Sequence, residues 1–97
     1  MKLIWCKKCG HVLSLTDKHW RTCDCGQCGG RYLKDGLNAE VFGGEYCLPL
    51  GFNNPSFRAA RNKQPESGWG ERFEAFIIPQ RCPTVRHRRR PGKQPTL

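Results

Sequence analysis

Cys6-Lys7-Lys8-Cys9-Gly10 and Cys25-Gly26-Gln27-Cys28-Gly29 are two Cys-x-x-Cys pairs with fifteen residues between them. That arrangement matches the C-x₂-C-x₁₅₋₂₀-C-x₂-C spacing of a structural zinc site. Two residues between thiolates let a tight turn aim both sulfurs at one ion about 2.3 Å away, and the following glycine tolerates the left-handed backbone that closes the turn. Cys23-Asp24-Cys25 offers a second distal pair, because residues i and i+2 of an extended segment face the same way. Cys6, Cys9 and Cys25 belong to both schemes, while Cys23 and Cys28 compete for the fourth place. His11 and His19 lie near the cluster and are expected to be solvated or packed rings.

An all-sulfur set closes the coordination sphere, whereas a catalytic zinc keeps three protein ligands and an open position for water. The chain has no H-E-x-x-H and no H-x-E followed by P-C-x-x-C. Cys47 and Cys82 have no cysteine or histidine within four residues, so they are expected to be buried or idle thiols. These readings point away from an enzyme and from a small-molecule substrate.

A metal also answers a shortage. The 97 residues are 37% apolar, against about 45–50% by a count that includes Gly in an ordinary soluble domain, and 11 Gly and 7 Pro divide the chain into short elements. One structural Zn²⁺ held by four cysteines supplies an apparent free energy of about 10–16 kcal/mol, enough to organise so thin a core. Seven cysteines leave one over from any closed disulfide framework. Only Leu3, Ile4 and Trp5 separate Lys2 from Cys6, short of the apolar core of a secretory signal, and no stretch has membrane-spanning length. A cytoplasmic, reducing setting is expected, where cysteine clusters bind metal more often than they pair.

The elements that would position these residues are short. His11–Leu15 and His19–Thr22, around Thr16-Asp17-Lys18, read as two strands joined by a turn. Arg31–Lys34 and Leu37–Phe42 flank Asp35-Gly36, a dipeptide suited to a two-residue type I′ hairpin. Residues 54–62 read as the one helix, with Asn54 as the cap and Pro55 at the first position. Phe57 and Ala60 then share one side, and Arg58 and Arg61 another that faces water or a phosphate. Arg72–Ile78 reads as a strand that begins half exposed and ends buried before Pro79, and Trp69, in the 63–71 connector, is expected to pack.

Charge collects at the end of the chain. Residues 1–47 hold seven Lys/Arg and five Asp/Glu, residues 48–80 four and three, and residues 81–97 six and none, which together give the net +9. The run from Arg86 through Arg88, Arg89 and Arg90 to Lys93 has almost no apolar residue, so 86–97 is expected to be a disordered basic tail. If about five such charges met phosphates, log affinity would fall with log salt at a slope of roughly −3.5 to −4.5.

Trp5-Cys6-Lys7-Lys8-Cys9-Gly10, Cys23-Asp24-Cys25-Gly26, Gly29–Leu33, Leu48–Asn53 and Phe76–Pro79 together resemble a group of short, largely uncharacterised bacterial and phage proteins with a zinc-ribbon-like start. The resemblance spans residues 1 to about 85 and implies a C-x-C-G distal pair, hence Cys6, Cys9, Cys23 and Cys25 as ligands rather than Cys28. The expected fold is small and mostly β (α+β): a single zinc-stabilised domain over 1–85, in which a zinc-ribbon-like unit at 1–34 packs on a β-rich body at 35–85 with one short helix. The expected role is non-catalytic binding of a nucleic-acid backbone through Arg58, Arg61, Arg86, Arg88, Arg89, Arg90 and Lys93. The alternative is a protein-binding accessory or inhibitor of mobile-element type, docking through Trp5, Trp20 and Trp69.

Overall fold

The computed structural model describes residues 1–89; Arg90 and Lys93 lie outside the described residues. In chain order the strands are β1 (Lys2–Cys6), β2 (Val12–Ser14), β3 (Arg21–Thr22), β4 (Gly29–Tyr32), β5 (Ala39–Phe42), β6 (Cys47–Phe52), β7 (Ala75–Ile77) and β8 (Val85–Arg88), with helix α1 (Asn54–Asn62) after β6. They form two four-stranded sheets, ordered β2-β1-β6-β7 and β3-β4-β5-β8. All pairings are antiparallel except β5–β8. The fold is thus small and mostly β with one short helix, as its composition and turn signals predict.

Strands β1 and β6 alternate: Ile4, Cys6, Cys47 and Pro49 are buried, while Leu3, Trp5, Leu48 and Leu50 are half-exposed. Of these, Ile4, Cys6 and Cys47 pack with Leu13, Cys28, Val41 and Val85 in one cluster that joins the two sheets. β1 reaches β6 over five paired positions, and the β4–β5 hairpin crosses residue 34, so the N-terminal segment and the body share both sheets.

The strands expected to pair with each other around residues 16–18 lie in different sheets. β2 pairs with β1 and β3 with β4, because the turn at Cys6–Cys9 folds β2 straight back on β1, where Leu13 meets Ile4. The hairpin at Asp35-Gly36 is present, but its loop is longer than two residues. The Leu33 amide donates to the Asn38 carbonyl at 2.8 Å, and the Asp35 carboxylate accepts the amides of Leu37 and Asn38 at 2.9 Å each. Gly36 alone takes positive φ here, and a type I′ turn needs it at both central residues.

Helix α1 occupies the expected residues, with its cap one residue earlier. Asn53 Oδ1 accepts the Ser56 amide at 2.9 Å, while Asn54 Oδ1 accepts the N-terminal ammonium at 3.1 Å. Ala60 is buried, and Phe57 lies against Phe52 and Phe73 with ring centroids 6.0 and 4.9 Å away. The strand expected over residues 72–78 shortens to β7, an edge strand whose residues are all exposed; Ile78 just beyond it is buried. Phe76 lies over Gly51 of β6, where any side chain would meet its ring. Trp69 is 96% exposed rather than packed, since the glycine-flanked connector carries it away from both sheets.

The expected boundary of the basic tail at residue 86 falls inside β8. Val85 is 5% exposed and anchors the strand, and residues 85–88 pair in parallel with β5. Arg88 Nε lies 2.8 Å from Oε2 of Glu40, a carboxylate only 7% exposed that Arg31 also approaches at 3.8 Å. A buried anion with two guanidinium neighbours gives this segment a reason to order despite its composition.

Candidate metal centre

Each distal or proximal cysteine pair sits at the tip of a hairpin. Between β1 and β2, the Gly10 amide donates to the Cys6 carbonyl at 2.8 Å and the Cys6 amide to the His11 carbonyl at 3.0 Å. Between β3 and β4, the Gly26 amide donates to the Cys23 carbonyl at 3.0 Å and the Cys23 amide to the Cys28 carbonyl at 2.9 Å. Gly10 and Gly26 adopt φ of 78° and 76°, the left-handed backbone that closes both turns. His11 ties the tips together: its Nδ1 accepts the Asp24 amide at 3.1 Å.

The sulfurs of Cys6, Cys9, Cys23 and Cys25 all lie within 4.8 Å of one another. Cys6–Cys25 is 3.7 Å and Cys23–Cys25 3.5 Å. Four sulfurs each about 2.3 Å from one ion form a tetrahedron with edges of about 3.8 Å. The measured separations suit that cage and are far above the covalent S–S length of about 2.05 Å. The four cysteines can therefore hold a metal ion, with Cys6 and Cys23 on the buried side and Cys9 and Cys25 toward water.

Cys28, the alternative to Cys23, lies outside this set. It is fully buried against Gly43, where an added Cβ would come within 2.8 Å of its sulfur. Its amide instead donates to Cys23 Sγ at 3.3 Å.

The same loops tune the thiols. Burial pushes Cys6 up, but the amides of Cys9 and Lys8, together with hydrogen bonds to the Cys28 and Cys23 side chains, leave the thiol below its ordinary value. Burial likewise pushes Cys23 up, but hydrogen bonds led by the Cys28 amide leave this thiol too below its ordinary value. Amides of His11 and Cys25 lower Cys9. At Cys25 the Gln27 amide favours the thiolate, but burial and the three neighbouring sulfurs prevail and push it up to about 11. A cation at the centre would favour all four thiolates, so loading the site displaces protons.

Cys47 has a different fate. Burial pushes its thiol from 9.0 up to about 11. A folded-state pKa above the unfolded one gives stability that is complete below about pH 9 and is lost as pH rises through about 11. The urea midpoint is expected to fall across that window, and Cys47→Ala, which removes the titrating group, to lessen the fall. A midpoint that falls equally in both proteins would contradict this.

Beside the cage, the 3₁₀ turn Gly44–Tyr46 forms a ridge between two clefts. One, of about 610 Å³, is lined by Lys7, Arg81 and His87 over Cys47, Leu48, Pro49 and Ile78. The other, of about 500 Å³, is lined by Arg88 and Arg89 with Gln27, Phe42 and Tyr46. Glu45 borders both.

Of the basic residues predicted to bind nucleic acid, Arg88 and Arg89 reach this end of the molecule. Arg86 stands on β8 opposite Glu40. Arg58 and Arg61 are exposed on α1, beyond the opposite end of β6 from Cys47. Lys7, Arg81 and His87 escaped the sequence reading because they come from three separate segments. The one local signal was a lysine inside the first cysteine turn. No family model matches the chain, and no curated protein or solved structure matches it.

Proposed function

We propose that this is a non-catalytic nucleic-acid-binding protein, organised by one structural zinc ion on Cys6, Cys9, Cys23 and Cys25. An all-sulfur tetrahedral set suits zinc, which needs no further ligand there. No helix among the described residues is long and apolar enough to cross a membrane. We place the protein in the cytoplasm, where reduced thiols remain free to bind metal.

The observation that carries the nucleic-acid reading is the pair of clefts flanking Gly44–Tyr46, which gathers Lys7, Arg81, His87, Arg88 and Arg89 on one end of the molecule. Such a field attracts phosphates and makes affinity salt-dependent. Arg90 and Lys93 follow directly in the sequence and extend the run, and Arg58 and Arg61 offer a second, separate contact.

Titrating the metal-loaded protein with unrelated DNA and RNA at several salt concentrations tests this. Binding is expected at low salt, and each of Arg81→Ala and Arg89→Ala is expected to make the log–log salt slope shallower by roughly 0.7–0.9. Arg88 is left intact because it pairs with Glu40. No binding at low salt, or slopes indifferent to both substitutions, would refute the reading.

A second reading, a protein-binding accessory, is favoured by the half-exposed face of the first sheet. Leu3, Trp5, Leu48 and Leu50 line it, with Ile77 at 58% exposure beside them, and Trp69 stands fully in water. Trp20 is not available in the same way, as its ring takes Arg31 at 4.6 Å and Phe42 at 5.7 Å. Under this reading Trp5→Ser and Trp69→Ser abolish partner capture while leaving the salt slope unchanged.

A further inference from the structure

We infer that the larger cleft selects single-stranded over double-stranded nucleic acid. This rests on the nucleic-acid reading above and adds the form of the ligand. The cleft combines two surfaces that a duplex cannot use together. Its rim carries the Lys7 ammonium, the Arg81 guanidinium and the His87 imidazole, against the single carboxylate of Glu45. Its floor is apolar, offered to solvent chiefly by half-exposed Leu48, with the buried Pro49 and Ile78 beneath it. A volume of about 610 Å³ lies in the range of pockets that enclose small organic groups, roughly 300–1,000 Å³.

A duplex offers phosphates to the rim but keeps its base faces stacked in its interior. A single strand presents both, so a phosphate can meet the rim while an unstacked base covers the floor. Floor and rim are fixed relative to one another by the cysteine turn. The Lys7 amide donates to the Tyr46 carbonyl at 2.8 Å, and Lys7 lies between ligands Cys6 and Cys9. The ion that holds that turn therefore also holds the rim lysine over the β6 floor.

The test uses the full-length, metal-loaded protein with a short labelled DNA strand of mixed sequence, the same strand annealed to its complement, and a strand of equal length with abasic sites. The base-bearing single strand is expected to bind about tenfold more tightly than either of the others, tenfold corresponding to about 1.4 kcal/mol. Leu48→Ser, checked for unchanged metal content, is expected to erase that preference while leaving duplex affinity as it was. The abasic comparison needs no variant, so it decides the matter even if Leu48→Ser fails to fold. Equal binding of all three ligands would overturn this inference and leave the nucleic-acid reading standing. Absence of binding by every ligand at low salt would overturn both.

Discussion

Replacing Cys6 or Cys23 with serine is expected to yield a chain that holds no metal and does not fold cooperatively. Both side chains are buried at the junction of the two hairpin tips, and both donate sulfur to the four-membered cluster. Metal binding of this type is worth an apparent 10–16 kcal/mol or so. That is comparable to the whole stability of an ordinary domain, roughly 5–15 kcal/mol. The core around the cluster is too thin to compensate, since the largest fully buried side chains among the described residues are Phe42, Ile4, Val41, Cys6 and Cys28. Elemental analysis and near-ultraviolet circular dichroism read the two losses together. Cys82→Ser is the control: this partly exposed thiol lies outside the sulfur cluster, at the edge of the core and 3.3 Å from the Thr84 hydroxyl, and its replacement is expected to be mild.

The same ion should be lost on acidification. Its ligands must be deprotonated, so affinity falls as pH falls and protons compete for the sulfurs. Cys25, pushed up to about 11 without the ion, is where that competition is strongest. Well-folded wild-type protein free of any metal would end the metal-centred account.

Gly29→Ala carries the second large effect, a loss of about 3 kcal/mol at the upper end of ordinary overpacking. A Cβ at Gly29 would lie 2.4 Å from the Phe42 ring and 2.6 Å from the Arg21 carbonyl oxygen. Neither neighbour can yield. Phe42 is buried against Trp20, and the Arg21 carbonyl belongs to β3, paired with β4 at this point. Any shift passes directly into the Cys23–Cys28 loop, which closes on the Cys23–Cys28 backbone bond one residue away. A midpoint lower by roughly 12–24 °C is expected, taking about 4–8 °C per kcal/mol for a domain of this size. Gly70→Ala, with nothing within 4 Å of its Cβ, should stay close to wild type. Equal midpoints for the two variants would show that the Phe42–Gly29 contact does not limit stability.

What could be read without coordinates was whatever neighbouring residues dictate among themselves. In the distal turn the left-handed glycine is Gly26 and not the Gly29 that a Cys25–Cys28 knuckle needs, Gly29 lying in β4, whereas the turn at Cys6–Cys9, closed by Gly10 at positive φ, follows from stereochemistry within five residues. So do the helix over Asn54–Asn62 and the presence of the Asp35-Gly36 hairpin. Their details slipped by a residue or so for equally local reasons: Asn53 and Asn54 are both competent caps, and the Asp35 carboxylate chose a longer loop.

Partners distant in sequence were decided by packing alone. Apolar strands carry no label saying which neighbour they will join, so the pairing of β1 with β6 and of β8 with β5 was invisible beforehand. Only when both tips were brought together did Cys23 enter the sulfur cluster and Cys28 turn into the core. The charged run beginning at Arg86 looked unable to order because its composition lacks apolar residues; a buried carboxylate at Glu40, forty-odd positions earlier, supplies the anchor. Sequence thus determined the ligand chemistry and the turns, through short-range geometry. Tertiary structure determined which sulfurs meet, which cations share a cleft and that Trp69 faces water, because each depends on surfaces that exist only after the two sheets have met.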